Sequence, residues 1–177
     1  MSRTFTVTIT FVTANSPLST PTFATIWRRP ALLLAFGFGS GLSPRAPGTA
    51  GSLVALPLYV LLAAMPLGVY VVTLAGLFAL GVWITAQAES ALATHDHPGI
   101  VWDEVVGQLV ALTLAPVSIT ALLLGFALFR LFDIWKPFPI SWLNNNVKGG
   151  WGIMLDDLAA GIAACLCLHG VLLWMPN

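Results

Sequence analysis

Leu67-Gly68-Val69-Tyr70-Val71-Val72-Thr73-Leu74-Ala75-Gly76-Leu77-Phe78-Ala79-Leu80-Gly81-Val82-Trp83-Ile84-Thr85-Ala86-Gln87-Ala88 runs for 22 residues without a charge. As a helix it extends about 33 Å at 1.5 Å per residue, enough to cross roughly 30 Å of hydrocarbon. Four further apolar segments occupy residues 51–65, 104–115, 119–135 and 158–175. They are short to marginal for a span, and residues 104–115 would cross partway or pack as a core helix behind their neighbours. Pro66 and Pro116 mark tight turns between segments. The 58% hydrophobic content exceeds the roughly 45–50% usual in soluble domains. The expected fold is all-α: a polytopic membrane bundle of about four to five hydrophobic helices.

Residues 1–29 differ in character and are read as a poorly ordered N-terminal extension, with residues 30–177 as the helical membrane domain. Thr4 to Phe11 alternates like a strand, yet no partner strand is evident. The extension also lacks the apolar core and cleavage site of a signal peptide. Cys165 and Cys167 are too few for a disulfide framework and sit in an apolar run, so both are expected in the core. A formal net charge of zero gives no basic field for nucleic acid.

Charge is scarce, at 8% of residues, so its placement is informative. If the five segments alternate in direction, the turns at Pro66 and Pro116 and the C-terminus share one side. All seven Lys and Arg, and all seven acids, then fall at or near the other. Positive charge marks that side as cytoplasmic.

Three acidic stretches meet there. The first is His95-Asp96-His97-Pro98-Gly99-Ile100-Val101-Trp102-Asp103-Glu104, the second Phe129-Arg130-Leu131-Phe132-Asp133-Ile134-Trp135-Lys136-Pro137, and the third Gly149 through Asp156-Asp157. A structural reading is available for each. Asp103/Glu104 and Asp156/Asp157 would start helices and favour the dipole, and Arg130 and Asp133, three apart, would form an intrahelical ion pair. Capping needs one acid per helix, however, and two helices carry adjacent pairs. Close carboxylates repel unless a cation or protons intervene. Oxygen-rich, sulfur-poor ligands suit Mg2+ or Mn2+. Two loop imidazoles, His95 and His97, do not make a zinc site, and His169 reads as a packed or hydrogen-bonded core residue.

Residues 37–52 hold five glycines and two prolines, which favours a loop, followed by a helix with Thr49 or Ser52 as N-cap. Such a loop can cradle an anion or simply allow close backbone packing. It matches neither a Walker A nor a dinucleotide fingerprint. Arg45 and Lys136 could add positive charge to a phosphate grip. Phosphate, metal and membrane face together point to hydrolysis of a lipid phosphomonoester. Neither cysteine sits in a phosphate loop ending in Arg, and no Asp-x-Asp-x-Thr motif occurs, which leaves metal-assisted attack by water.

Four stretches in order, Gly37 to Leu53, Ile100 to Glu104, Phe129 to Ile140 and Gly149 to Asp157, resemble the motifs of the bacterial phosphatidylglycerophosphatase A family. The resemblance implies an all-helical protein of the bacterial cytoplasmic (inner) membrane that removes the terminal phosphate of phosphatidylglycerophosphate with Mg2+, giving phosphatidylglycerol. It points to Asp96, Asp103, Glu104, Asp133, Asp156 and Asp157 as the catalytic and metal acids. The working assignment puts Asp103, Glu104, Asp156 and Asp157 around the metal and makes Asp96 or Asp133 the water-orienting base. Gly48, Thr49, Ser52, Arg45, Arg130 and Lys136 are expected to grip phosphate. One departure is Asn144, where the family often has an acid. A reading from another class is a small cation carrier using the same acids, although its charges would be expected nearer mid-span.

Overall fold

The structure is a computed structural model and describes residues 21–94 and 97–174. The alternating stretch Thr4 to Phe11 lies outside the described residues, as do His95 and Asp96. Within them all regular structure is helical: α1 (Phe23–Trp27), α2 (Pro30–Ala35), a 3-10 stretch (Gly37–Leu42), α3 (Pro47–Leu62), α4 (Leu67–Leu92), α5 (Trp102–Ala111), α6 (Ile119–Trp135), α7 (Ile140–Asn146) and α8 (Gly149–Trp174).

Each of the five apolar segments is a helix. Two of them, α4 and α8, are long and apolar enough to cross a membrane, fewer than the four to five anticipated. At 1.5 Å per residue, α3 and α6 reach only about 24–26 Å and α5 about 15 Å. Much of the apolar surface of α4 and α8 points outward: Val72 and Leu166 are each 71% exposed and Leu173 86%. Their hydrophobicity is therefore not consumed by the protein's own core, which a watery surface would penalise.

Helix α5 is that core. It packs against α3, α4, α6 and α8 and buries eight of its ten residues. Trp102 Nε1 donates to Leu77 O of α4 at 3.1 Å, and Tyr70 of α4 donates back to Leu109 O at 2.8 Å, so α5 is pinned near both ends. Its seam with α8 is made of backbone. A Cβ built on Gly161 would overlap Gly107 O, and one on Gly107 would lie 2.8 Å from Asp157 O. Small residues let helices approach this closely where packing and hydrogen bonds, rather than water exclusion, hold them.

Three local expectations are corrected. Helix α3 starts at Pro47, with left-handed Ala46 (φ 48°) preceding it and no side-chain cap, so neither Thr49 nor Ser52 is the N-cap. The pyrrolidine ring presets the first helical φ, and Ser52, one turn inside, donates its hydroxyl to Gly48 O. Helix α8 starts at Gly149, so Asp156 and Asp157 stand about two turns inside it rather than at its start. Finally, Cys167 is exposed and Cys165 only half-buried. Two positions apart is about 200° around a helix, so both could not face one core. His169 is half-buried, with Nδ1 2.9 Å from Cys165 O.

Candidate active site

The start of α3, the start of α5, the end of α6 and the first third of α8 converge on one cleft of about 270 Å³. Gly48, Asp103, Glu104, Arg130, Asp133, Lys136, Asp156 and Asp157 line it, and Asn144 and Val147 at the end of α7 form part of its rim. Four of the acids, Asp103, Asp133, Asp156 and Asp157, are each less than a tenth exposed. An ionised carboxylate so placed needs a partner, because desolvation costs several kcal/mol per uncompensated ion.

Those partners are shared unequally. Asp133, on the inner face of α6, accepts from Arg130 Nη1 through Oδ2 at 2.5 Å and lies 3.5 Å from Lys136 Nζ through Oδ1. Asp156 Oδ2 meets Lys136 Nζ at 2.5 Å, and its Oδ1 accepts the Asp157 N–H at 3.1 Å. Lys136 Nζ also stands 3.9 Å from Asp157 Oδ1. Arg130 Nη1 reaches Glu104 Oε1 at 4.0 Å and Ser52 Oγ at 3.4 Å. In contrast, Asp103 Oδ1, Glu104 Oε2 and Asp157 Oδ2 are buried and have no hydrogen-bond partner among the described residues.

Electrostatics follow from that imbalance. Burial, and then the neighbouring Glu104, push the Asp103 carboxyl well above the usual carboxylate range. Burial and the Asp157 charge raise Glu104 to about 8. Burial works against charge on Lys136, but Asp157 and Asp156 outweigh it and hold the ammonium protonated. The cleft thus has more carboxyl groups than its own cations satisfy, and without a further cation that gap is met by protons held at raised pKa.

A divalent cation fits this gap. Asp103, Glu104 and Asp157 each offer an oxygen, and these lie within 4.8 Å of one another. Oxygens on opposite sides of a hard cation at about 2.1–2.5 Å have that spacing. The donor set is all oxygen, which suits Mg2+ or Mn2+. Gly48 keeps the wall thin, since a Cβ there would overlap Glu104 Oε1 and lie 3.2 Å from Arg130 Nη1.

Of the residues singled out from sequence, Asp103, Glu104, Asp133, Asp156, Asp157, Gly48, Arg130 and Lys136 are brought together in the cleft. Ser52 is buried beneath Arg130. Arg45 is exposed and Thr49 half-buried, and neither lines the cleft. Asp96 lies outside the described residues. His97 turns away, its Nδ1 accepting the Gly99 N–H at 3.0 Å. Sequence reading missed Gln108, which does not line the cleft but is fully buried, with both amide atoms unpartnered among the described residues. Its signal was available: an amide within an apolar run, four residues after Glu104 and so on the same helix face.

Comparison with known proteins bears on the same stretches. The family model for Phosphatidylglycerophosphatase A matches residues 33–172, which takes in every cleft residue named above. A protein of Escherichia coli (strain K12) named Phosphatidylglycerophosphatase A is 43% identical over 141 residues, covering 77% of this chain and 80% of its own. One of the same name from Haemophilus influenzae is 40% identical over 166 residues, covering 93% and 99% respectively. No solved structure matches. The chain belongs to the phosphatidylglycerophosphatase A family.

Proposed function

We propose that the chain hydrolyses the terminal phosphomonoester of phosphatidylglycerophosphate to phosphatidylglycerol and phosphate, in a bacterial inner membrane with the cleft on the cytoplasmic side. The observation that carries this reading is the trio of buried oxygens on Asp103, Glu104 and Asp157, unpartnered among the described residues, in one cleft with the Arg130 guanidinium. Relatives named for this activity support it. So do two helices of spanning length, which would keep the cleft near its lipid.

The residues divide the work. Asp103, Glu104 and Asp157 would hold Mg2+, with Mn2+ as a substitute. A bound divalent ion lowers the pKa of water and takes up phosphoryl charge. Arg130 is oriented by Asp133 and Ser52, so its guanidinium is preorganised for an anionic phosphate rather than ordered only on binding. The start of α3, at Pro47 and Gly48 in the cleft wall, adds the positive end of a helix dipole. Asp156 is tied to Lys136 and supports the trio by accepting the Asp157 N–H.

Gly48→Ala tests the thin wall. The methyl would displace Glu104 or Arg130, and because misplacement by about 1 Å can cost on the order of a hundredfold, kcat/KM is expected to fall by about that factor. Thermal unfolding in detergent should barely move. Retention of near wild-type kcat/KM would remove Gly48 from the site.

The reading itself is tested by phosphate release from purified protein in detergent. Phosphatidylglycerophosphate, phosphatidic acid and glycerol 3-phosphate serve as substrates, with a liposome cation-flux assay alongside. Release fastest from phosphatidylglycerophosphate, with no flux, is expected. Flux without release from any ester would instead establish the carrier.

A further inference from the structure

The cleft's carboxylates fall into two sets that a single pairing rule separates. On one side, both oxygens of Asp133 and both of Asp156 are engaged, by Arg130, Lys136 and the Asp157 N–H. On the other, Asp103, Glu104 and Asp157 keep buried oxygens that are unpartnered among the described residues. Asp157 stands between the sets, its Oδ1 3.9 Å from Lys136 Nζ and its Oδ2 open. One ammonium therefore touches three carboxylates from two helices, a position that a second metal ion would fill in a two-ion phosphoester site.

The backbone points the same way. Lys136 ends α6 in the left-handed region (φ 44°) and its N–H donates to Phe132 O. Glycine or asparagine is the usual residue at such a helix end, because a side chain there is strained. The turn alone therefore does not favour lysine. The left-handed turn also sends the side chain back over the end of α6, where it is only 28% exposed, rather than outward into solvent.

We propose that Lys136 is a built-in cation that takes the place of a second metal, so that the site binds one divalent ion, at Asp103, Glu104 and Asp157. Lys136 is then a positioning residue for Asp133, Asp156 and Asp157 rather than a phosphate grip. This rests on the reading of the cleft as a divalent-cation site, and the test separates the two.

Mn2+ bound per chain is counted by electron paramagnetic resonance on purified full-length protein in detergent, without substrate. One ion per wild-type chain is expected. Lys136→Met, which keeps the chain's bulk but frees Asp133 Oδ1 and Asp156 Oδ2, should raise the count to two. Lys136→Arg should leave it at one. Two ions on the wild type would overturn the proposal even if the methionine variant fails to fold, as would a methionine variant that folds and still binds one. No ion on the wild type would sink the cation reading beneath it as well.

Discussion

Asp157→Asn and Asp103→Asn, made separately, should each lower phosphate release by at least about a hundredfold. Loss of groups that merely support metal ligands costs roughly 10–100-fold, and these two offer the open oxygens themselves. Asparagine keeps the shape of the side chain and removes its charge, so the packing of α5 on α8 is untouched. Stability supplies the control, and its sign is opposite. Both acids are buried, Asp103 at 8% and Asp157 at 3% exposure, among other carboxylates. Removing a charge from such a crowd relieves desolvation and repulsion. In EDTA the variants should therefore unfold at a temperature equal to or above wild type. A variant that releases phosphate at the wild-type rate would remove that acid from the site. One that melts earlier in EDTA would mean the acid serves the fold.

Gly107→Val should disable the protein through packing. The first added carbon would lie 2.6 Å from the Phe129 ring and 2.8 Å from Asp157 O. Neither neighbour can yield cheaply, because Phe129 is fully buried and the carbonyl belongs to α8. Overpacking of this kind costs about 1–3 kcal/mol, and relief by separating α5 from α8 moves Asp157 away from Asp103 and Glu104. Lower thermal stability and loss of activity should appear together, with Gly107→Ala intermediate in both. Full activity in the valine variant would show that the seam does not set the cleft.

The long elements were legible because their signals are local. A charge-free run longer than a bilayer gives α4, and the apolar run 119–135 after the turn at Pro116 coincides with α6, which Ser118 caps by accepting the Ala121 N–H. The start of α8 was not legible: Gly149, Gly150 and Gly152 carry the usual signature of a loop. In the fold Gly150 lies within the helix, and glycine is required there because α4 passes so near that a Cβ would overlap Val82 O, a tertiary reason that no window of sequence shows. The seven residues of α7 follow Pro137 and Pro139 and are too few for a periodic signal. Among site residues, the acids stood out because charge is rare in this chain. Which of them are satisfied and which open could not be read, since that depends on Lys136 of α6 reaching Asp156 of α8.

On this reading, buried carboxylates gathered from α5 and α8 would hold the divalent cation with which a lipid phosphate ester is cut. Phosphate release from phosphatidylglycerophosphate by protein stripped with EDTA, before and after Mg2+ is restored, tests it most directly. Release should fall to background on stripping and return with Mg2+. Release that persists undiminished in EDTA would contradict it.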